Sequence, residues 1–148
     1  MPASGRPLNY TTTIEPAKSA QECIAILGAH HAQAVGLTLD NGMPTGLDFV
    51  ISTRWGPRRF ALPVNVEGTK RVLEKAVKDG LIPLKYATLH QARKVSWRVL
   101  KMWLETQIAL IEAGLIELDE VMLPWVYVNE KQTLLQSYGE QQMIEAGG

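Results

Sequence analysis

The chain has a single cysteine, Cys23, among its 148 residues, so it can form no disulfide within itself. A reducing compartment suits such a protein. The thiol falls in an amphipathic helical pattern rather than an electropositive turn, which makes it a small buried apolar group and not a nucleophile. No apolar run approaches the ~18 residues that cross a bilayer. Met1 to Leu8 lacks the apolar centre of a signal peptide and is expected to be a flexible lead. The expected location is the cytoplasm.

Sequence signatures of chemistry are missing as well. There is no G-x-S-x-G, no G-x-x-x-x-G-K and no G-x-G-x-x-G, so neither a nucleophile elbow nor a phosphate loop is encoded locally. Cys23 and His30 share a helix face and His31 adjoins them, but no H-x-x-x-H, C-x-x-C or matched carboxylate set accompanies them. Glu117, Asp119 and Glu120 crowd a helix start, where acids complement the helix dipole. No catalytic residue, metal ligand or cofactor is therefore expected.

What is present suits one domain. A chain of about 150 residues buries about 70% of its unfolded surface, enough for a core without staples. Hydrophobic residues at 46% and charged residues at 20% can build that core. The expected fold is α+β, a small antiparallel sheet of about four strands packed on helices. Residues 9–128 form the domain and 129–148 a polar tail.

Asn9 to Ile14 alternates polar and apolar and reads as a first strand. Ser19-Ala20-Gln21-Glu22 reads as a capping box opening a helix to about His30. Val35, Leu37 and Leu39 alternate as a strand with one buried face, and Asp40-Asn41-Gly42 suits a tight reversal. Leu47, Phe49 and Ile51, then Phe60 and Leu62 after the Gly56-Pro57 turn, complete a meander over 33–62. Asn65 is placed to cap a second helix with an apolar face of Val66, Thr69, Val72, Leu73, Ala76 and Val77, ended by Gly80. Thr88-Leu89-His90-Gln91 opens a long helix that runs to Ala113, with Gly114 as terminator. Glu117 to Leu123 is a short helix stopped by Pro124. In the tail, Leu134, Leu135 and Tyr138 suit a short docking helix.

The long helix is apolar on two sides. At about 100° per residue, Val95, Val99, Met102, Trp103, Thr106, Ala109, Leu110 and Ala113 fill one face, and Trp97, Leu100, Leu104, Ile108 and Ile111 a second. Only a narrow stripe of Lys94, Arg98, Lys101, Glu105 and Glu112 is charged. A helix with two apolar faces is either central or covered by a second subunit. A homodimer or higher even oligomer through residues 92–113 is expected. Arg93, Ser96 and Gln107 lie between the faces, where they either tie the helix to a neighbour or line a pocket with Trp97 or Trp103.

The formal net charge of zero hides a strong segregation. Residues 1–53 carry two basic and four acidic residues, 54–101 twelve basic against three acidic, and 102–148 one basic against eight acidic. Arg54, Trp55, Arg58 and Arg59 crowd one hairpin tip, where guanidinium forks can grip phosphates and an indole can stack on a base. Lys70, Arg71, Arg93, Trp97 and Arg98 extend this candidate site. The opposing reading is a solvated face neutralised by the acidic C-terminal third.

Asn9-Tyr10-Thr11-Thr12, then Phe60-x-Leu62-Pro63-x-Asn65, then Trp97-Arg98-x-x-Lys101-x-Trp103-x-x-x-Gln107-x-Ala109, then Glu120-Val121-x-Leu123-Pro124 resemble a family of small proteins encoded by phages and prophages. The likeness covers most of residues 9–125. It implies an accessory role in the cytoplasm of an infected cell and carries over no catalytic residue. Small phage proteins of this kind often bind and block a host enzyme, a defence effector or a nucleotide signal. Two functions follow. The first is a non-enzymatic module that binds a phosphate-bearing ligand, either nucleic acid or a nucleotide, including a sequestered nucleotide signal. The alternative is a protein-interaction module that inhibits a host or defence protein.

Overall fold

A computed structural model describes residues 5–147. They form five α-helices and a three-stranded antiparallel sheet, in the order α1 (Pro16–Ala29), β1 (Ala34–Asp40), β2 (Met43–Thr53), β3 (Gly56–Pro63), α2 (Val66–Lys78), α3 (Leu89–Glu112), α4 (Leu118–Met122) and α5 (Leu134–Gly147). The fold is α+β, as expected, with one fewer strand than expected. β2 is central in the strand order β1-β2-β3. The meander follows from alternation: Leu47, Phe49 and Ile51 on β2 and Phe60 and Leu62 on β3 are all buried on one face. The registers Leu47↔Leu62 and Phe49↔Phe60 put these residues side by side, with the two phenyl rings stacked at 5.4 Å.

α3 crosses that face and supplies Trp97, Leu104 and Ile108 to the core, while α1 adds Ala20, Cys23 and Leu27. Trp97 is fully buried, and its indole N–H donates to the Pro44 carbonyl at 2.9 Å. A second, smaller cluster of Leu73, Ala76, Ile82 and Ala92 joins α2 to the start of α3.

Local sequence and structure disagree at three places. Asn9–Ile14 is not a strand. Asn9 takes φ +60, and the Tyr10 and Thr12 amides close turns onto Pro7 and Asn9. The Gln91 amide then donates to the carbonyls of Tyr10 and Thr12 at 2.8 and 2.9 Å, so the segment's backbone is satisfied by a side chain rather than a ladder. α1 begins at Pro16 with Glu15 as its cap, three residues before the expected capping box. Ser19 and Glu22 face inward instead, and both accept from the Arg98 guanidinium. β1 lacks a buried face: Leu37 and Leu39 are exposed at the sheet edge.

The other helices start where expected, though the capping box expected at Thr88–Gln91 forms only in its forward half, since the Gln91 side chain goes to Tyr10 and Thr12. Asn65 accepts from the Gly68 amide at 2.8 Å, Thr88 accepts from the Gln91 amide at 3.1 Å, and Glu117 and Glu120 form a reciprocal capping box. Pro124 lies within a 3-10 turn, Leu123–Trp125, that directly follows α4. The chain then returns along β3 through a Phe60↔Val126 bridge. Residues 1–4 of the expected lead lie outside the described residues; Arg6 donates to the Leu81 carbonyl at 3.1 Å.

Candidate interaction surfaces

The β2–β3 hairpin carries the arginine–tryptophan tip. Thr53 closes it, accepting from the Trp55 amide at 3.0 Å and donating to the Gly56 carbonyl at 2.9 Å. Gly56 at φ +95 occupies backbone space that a side chain would strain. Trp55 is 69% exposed. Trp55 and Arg58 line a small recess with Asp119, the partner of Arg54, and only Arg59 turns away. Arg54 bonds Asp119 at 3.1 Å, with its guanidinium 5.9 Å from the Trp55 ring centre. Arg58 donates back to the Pro57 carbonyl at 2.8 Å. Arg59 follows Arg58 along the strand and so points to the opposite face. There it makes two bonds of 2.8 Å to both Asp48 oxygens and lies 4.2 Å over the Tyr127 ring. The Tyr127 hydroxyl donates to Asp48 at 3.1 Å. Hydrogen bonding to Asp48 raises the Arg59 pKa, and burial followed by the Asp48 charge raises that of the Tyr127 phenol.

The remaining candidate residues lie elsewhere. Lys70 pairs with Glu74 at 3.4 Å, and Arg71 is exposed on α2. Arg93 is half-buried in a small recess with Asp40 and Glu67. Arg98 is turned into the α1–α3 seam, 2.8 Å from Glu22, and Trp97 has no exposed surface. These nine residues therefore do not share one surface. Pairing accounts for much of the basic segment, but the partners differ from the expected ones. Glu15, Glu22 and Asp48 come from the N-terminal third, while the acidic C-terminal third reaches back across the fold through Asp119. Lys94, Arg98 and Lys101 of the charged stripe are accordingly turned towards Glu15 and Glu22 at α1, while Glu105 and Glu112 stay exposed.

A different surface is open. Pro7, Leu8, Val64, Val72, Val99 and Trp103 line an apolar groove of about 650 Å³ between α2, α3 and the β3–α2 connection. Trp103 is braced edge-on by Trp125 at 5.4 Å. The polar groups in the groove are engaged within the protein. The Ser96 and Thr69 hydroxyls are 2.7 Å apart and reach the Ala92 and Asn65 carbonyls at 2.7 and 3.1 Å. Asn65 is held by its own cap, and a Cβ on Gly68 would come within 2.7 Å of that side chain. Ser96 thus does both things open to it in the sequence: it ties α3 to α2 and lines a pocket with Trp103.

Beyond the groove the same face of α3 carries Met102, whose sulfur accepts from the Asn9 amide, and Thr106, Ala109 and Ala113, all exposed. The two apolar faces of the helix separate here: Trp97, Leu104 and Ile108 are enclosed by the sheet and α1, while much of the other face has no cover. The groove was poorly legible because Val72, Thr69 and Ala76 read as one continuous buried face of α2, whereas Val72 is 54% exposed.

Among the described residues, no group of three or more His, Cys, Asp or Glu side chains could hold a metal ion. His30 instead lies 3.4 Å from Glu112. No helix there is long and apolar enough to cross a membrane. No family model, no curated protein and no solved structure matches the chain, so the likeness to small phage and prophage proteins rests on the sequence motifs alone.

Proposed function

We propose that this chain is a non-enzymatic protein-interaction module whose contact surface is the apolar groove between α2 and α3. The carrying observation is the contrast between the two candidate surfaces. The basic tip spends Arg54 and Arg59 on internal carboxylates, while the groove presents Leu8, Val72, Val99 and Trp103 with its hydroxyls already satisfied. An open apolar concavity is a surface that gains from being covered. Its rim gives the partner's character. On a helical wheel Arg71 and Lys78 lie on the solvent side of Val72, beside Lys75 which is paired with Asp79, so the groove suits an acidic helix with apolar side chains. Two further features support a module without turnover. The Cys23 thiol is buried and pushed up to about 12 by desolvation, far from a nucleophile's range. The groove hydroxyls sit among carbonyls rather than beside a base. With the phage likeness, the partner would be a protein of the infected cell.

Native mass spectrometry of the protein purified from cells that make it tests this reading. The expected result is a protein complex that is lost in Val72→Asp and kept in Arg58→Ala with Arg59→Ala. A retained nucleotide or nucleic acid that disappears in the double arginine variant would overturn it and favour the phosphate-binding alternative.

A further inference from the structure

α5 packs only by its first residues, which lie against the Leu123–Trp125 turn. None of its residues is buried, and Leu135, Tyr138, Met143 and Ile144 are between 51% and 77% exposed. It is fastened over its first half alone: the Leu134 amide donates to the Val126 carbonyl at 2.8 Å, Thr133 and Gln136 cap each other, and the Gln132 amide donates to one Glu140 oxygen. A 14-residue helix falls in the ~12–15-residue range at which isolated helices are still marginal in water. Gly139 near its middle weakens it by about 1 kcal/mol against alanine. Its apolar side chains also circle the axis, with Leu135 and Tyr138 on one side and Met143 and Ile144 on the others, so covering it takes more than one surface.

The chain carries both a helix without a seat and a seat without a helix, and their chemistry matches. From Leu135 to Ile144 the helix runs about 14 Å, and from Val95 to Trp103 the groove floor runs about 12 Å. α5 contains Glu140 and Glu145 and no basic residue, while α2 contains four basic residues against Glu67 and Glu74. Arg71 and Lys78 have no ion-pair partner among the described residues, so they are free to meet those glutamates. Glu105 and Glu112 flank the lower half of α3's open face, which steers an acidic helix to the α2 end.

We propose that α5 of a second copy occupies the groove, exchanged reciprocally across a twofold axis. The inference rests on reading the groove as a protein-contact surface and names its occupant. In a twofold exchange each α5 meets its partner's groove on one side and its partner's α5 on another, which covers a helix that is apolar all round. The groove of the free protein is then self-occupied, and a target helix must displace α5 to enter.

Sedimentation velocity on the full chain at low micromolar concentration tests this, with circular dichroism melting as a control for folding. Wild type is expected at twice the 16.4 kDa chain mass. Met143→Asp with Ile144→Asp, and separately Val72→Asp, are expected to sediment as monomers with unchanged melting, since all three positions are exposed. A monomeric wild type overturns the exchange and leaves the groove to a different protein. A dimer lost in Val72→Asp but kept in the α5 variant overturns α5 as the occupant. A dimer indifferent to both variants overturns the exchange and moves self-association to another surface.

Discussion

Trp97 and Cys23 show how single residues take their roles from where the fold sends them. Tryptophan beside arginine suggests stacking on a ligand, yet Trp97 is fully enclosed and its N–H is spent on Pro44. Trp97→Ala should destabilise the protein by about 3–5 kcal/mol, read from urea denaturation, because it opens a large cavity and strips a carbonyl of its donor. Cys23 carries a pH signature. Its thiol is raised from 9.0 to about 12, so the folded state holds the proton more tightly than the unfolded chain. The contribution to stability is complete below pH 9 and is lost as pH rises from 9 to 12, at about 1.4 kcal/mol per pH unit. Stability measured from pH 8 to 11 should therefore fall less steeply in Cys23→Ala than in wild type. The native thiol should resist an alkylating reagent at pH 8 and react once the chain is unfolded.

Elements were legible where their determinants are local. Asn65, Thr88 and Glu117 cap helices because a short polar side chain can reach an amide two or three residues ahead, whatever lies beyond. The alternation of Leu47, Phe49 and Ile51 against Phe60 and Leu62 likewise contains its own register. The failures share a cause, which is a distant partner. Asn9–Ile14 has strand-like alternation, but Gln91, about 80 residues away, takes its carbonyls. Ser19 and Glu22 have the spacing of a capping box, but Arg98 recruits both. Two substitutions separate these cases. Asn65→Ala should cost about 1 kcal/mol, as an ordinary lost cap. Gln91→Ala should cost about 1–3 kcal/mol by leaving two carbonyls unpaired, and should raise hydrogen exchange in residues 9–14 specifically.

For the whole molecule, the segregation of charge along the chain turns into pairing across the fold. Acids of the first and last thirds close on arginines and lysines of the middle third, so a sum by segment overstates the field that a ligand would meet. The candidate site was legible only in its parts. The basic residues were visible, but not their partners, and the apolar face of α3 was visible, but not which half of it the sheet would cover. Titration with short single-stranded DNA, short RNA and nucleotides at low salt is accordingly expected to give weak binding with a shallow salt dependence, because few phosphate contacts are available to release counterions. The most direct test of the central claim is photo-crosslinking in cells that make the protein, with a benzoylphenylalanine replacing Val72 in one variant and Arg58 in another. Adducts to protein at position 72, with none at 58, are the predicted result; adducts to nucleic acid at 58, with position 72 silent, would contradict the account.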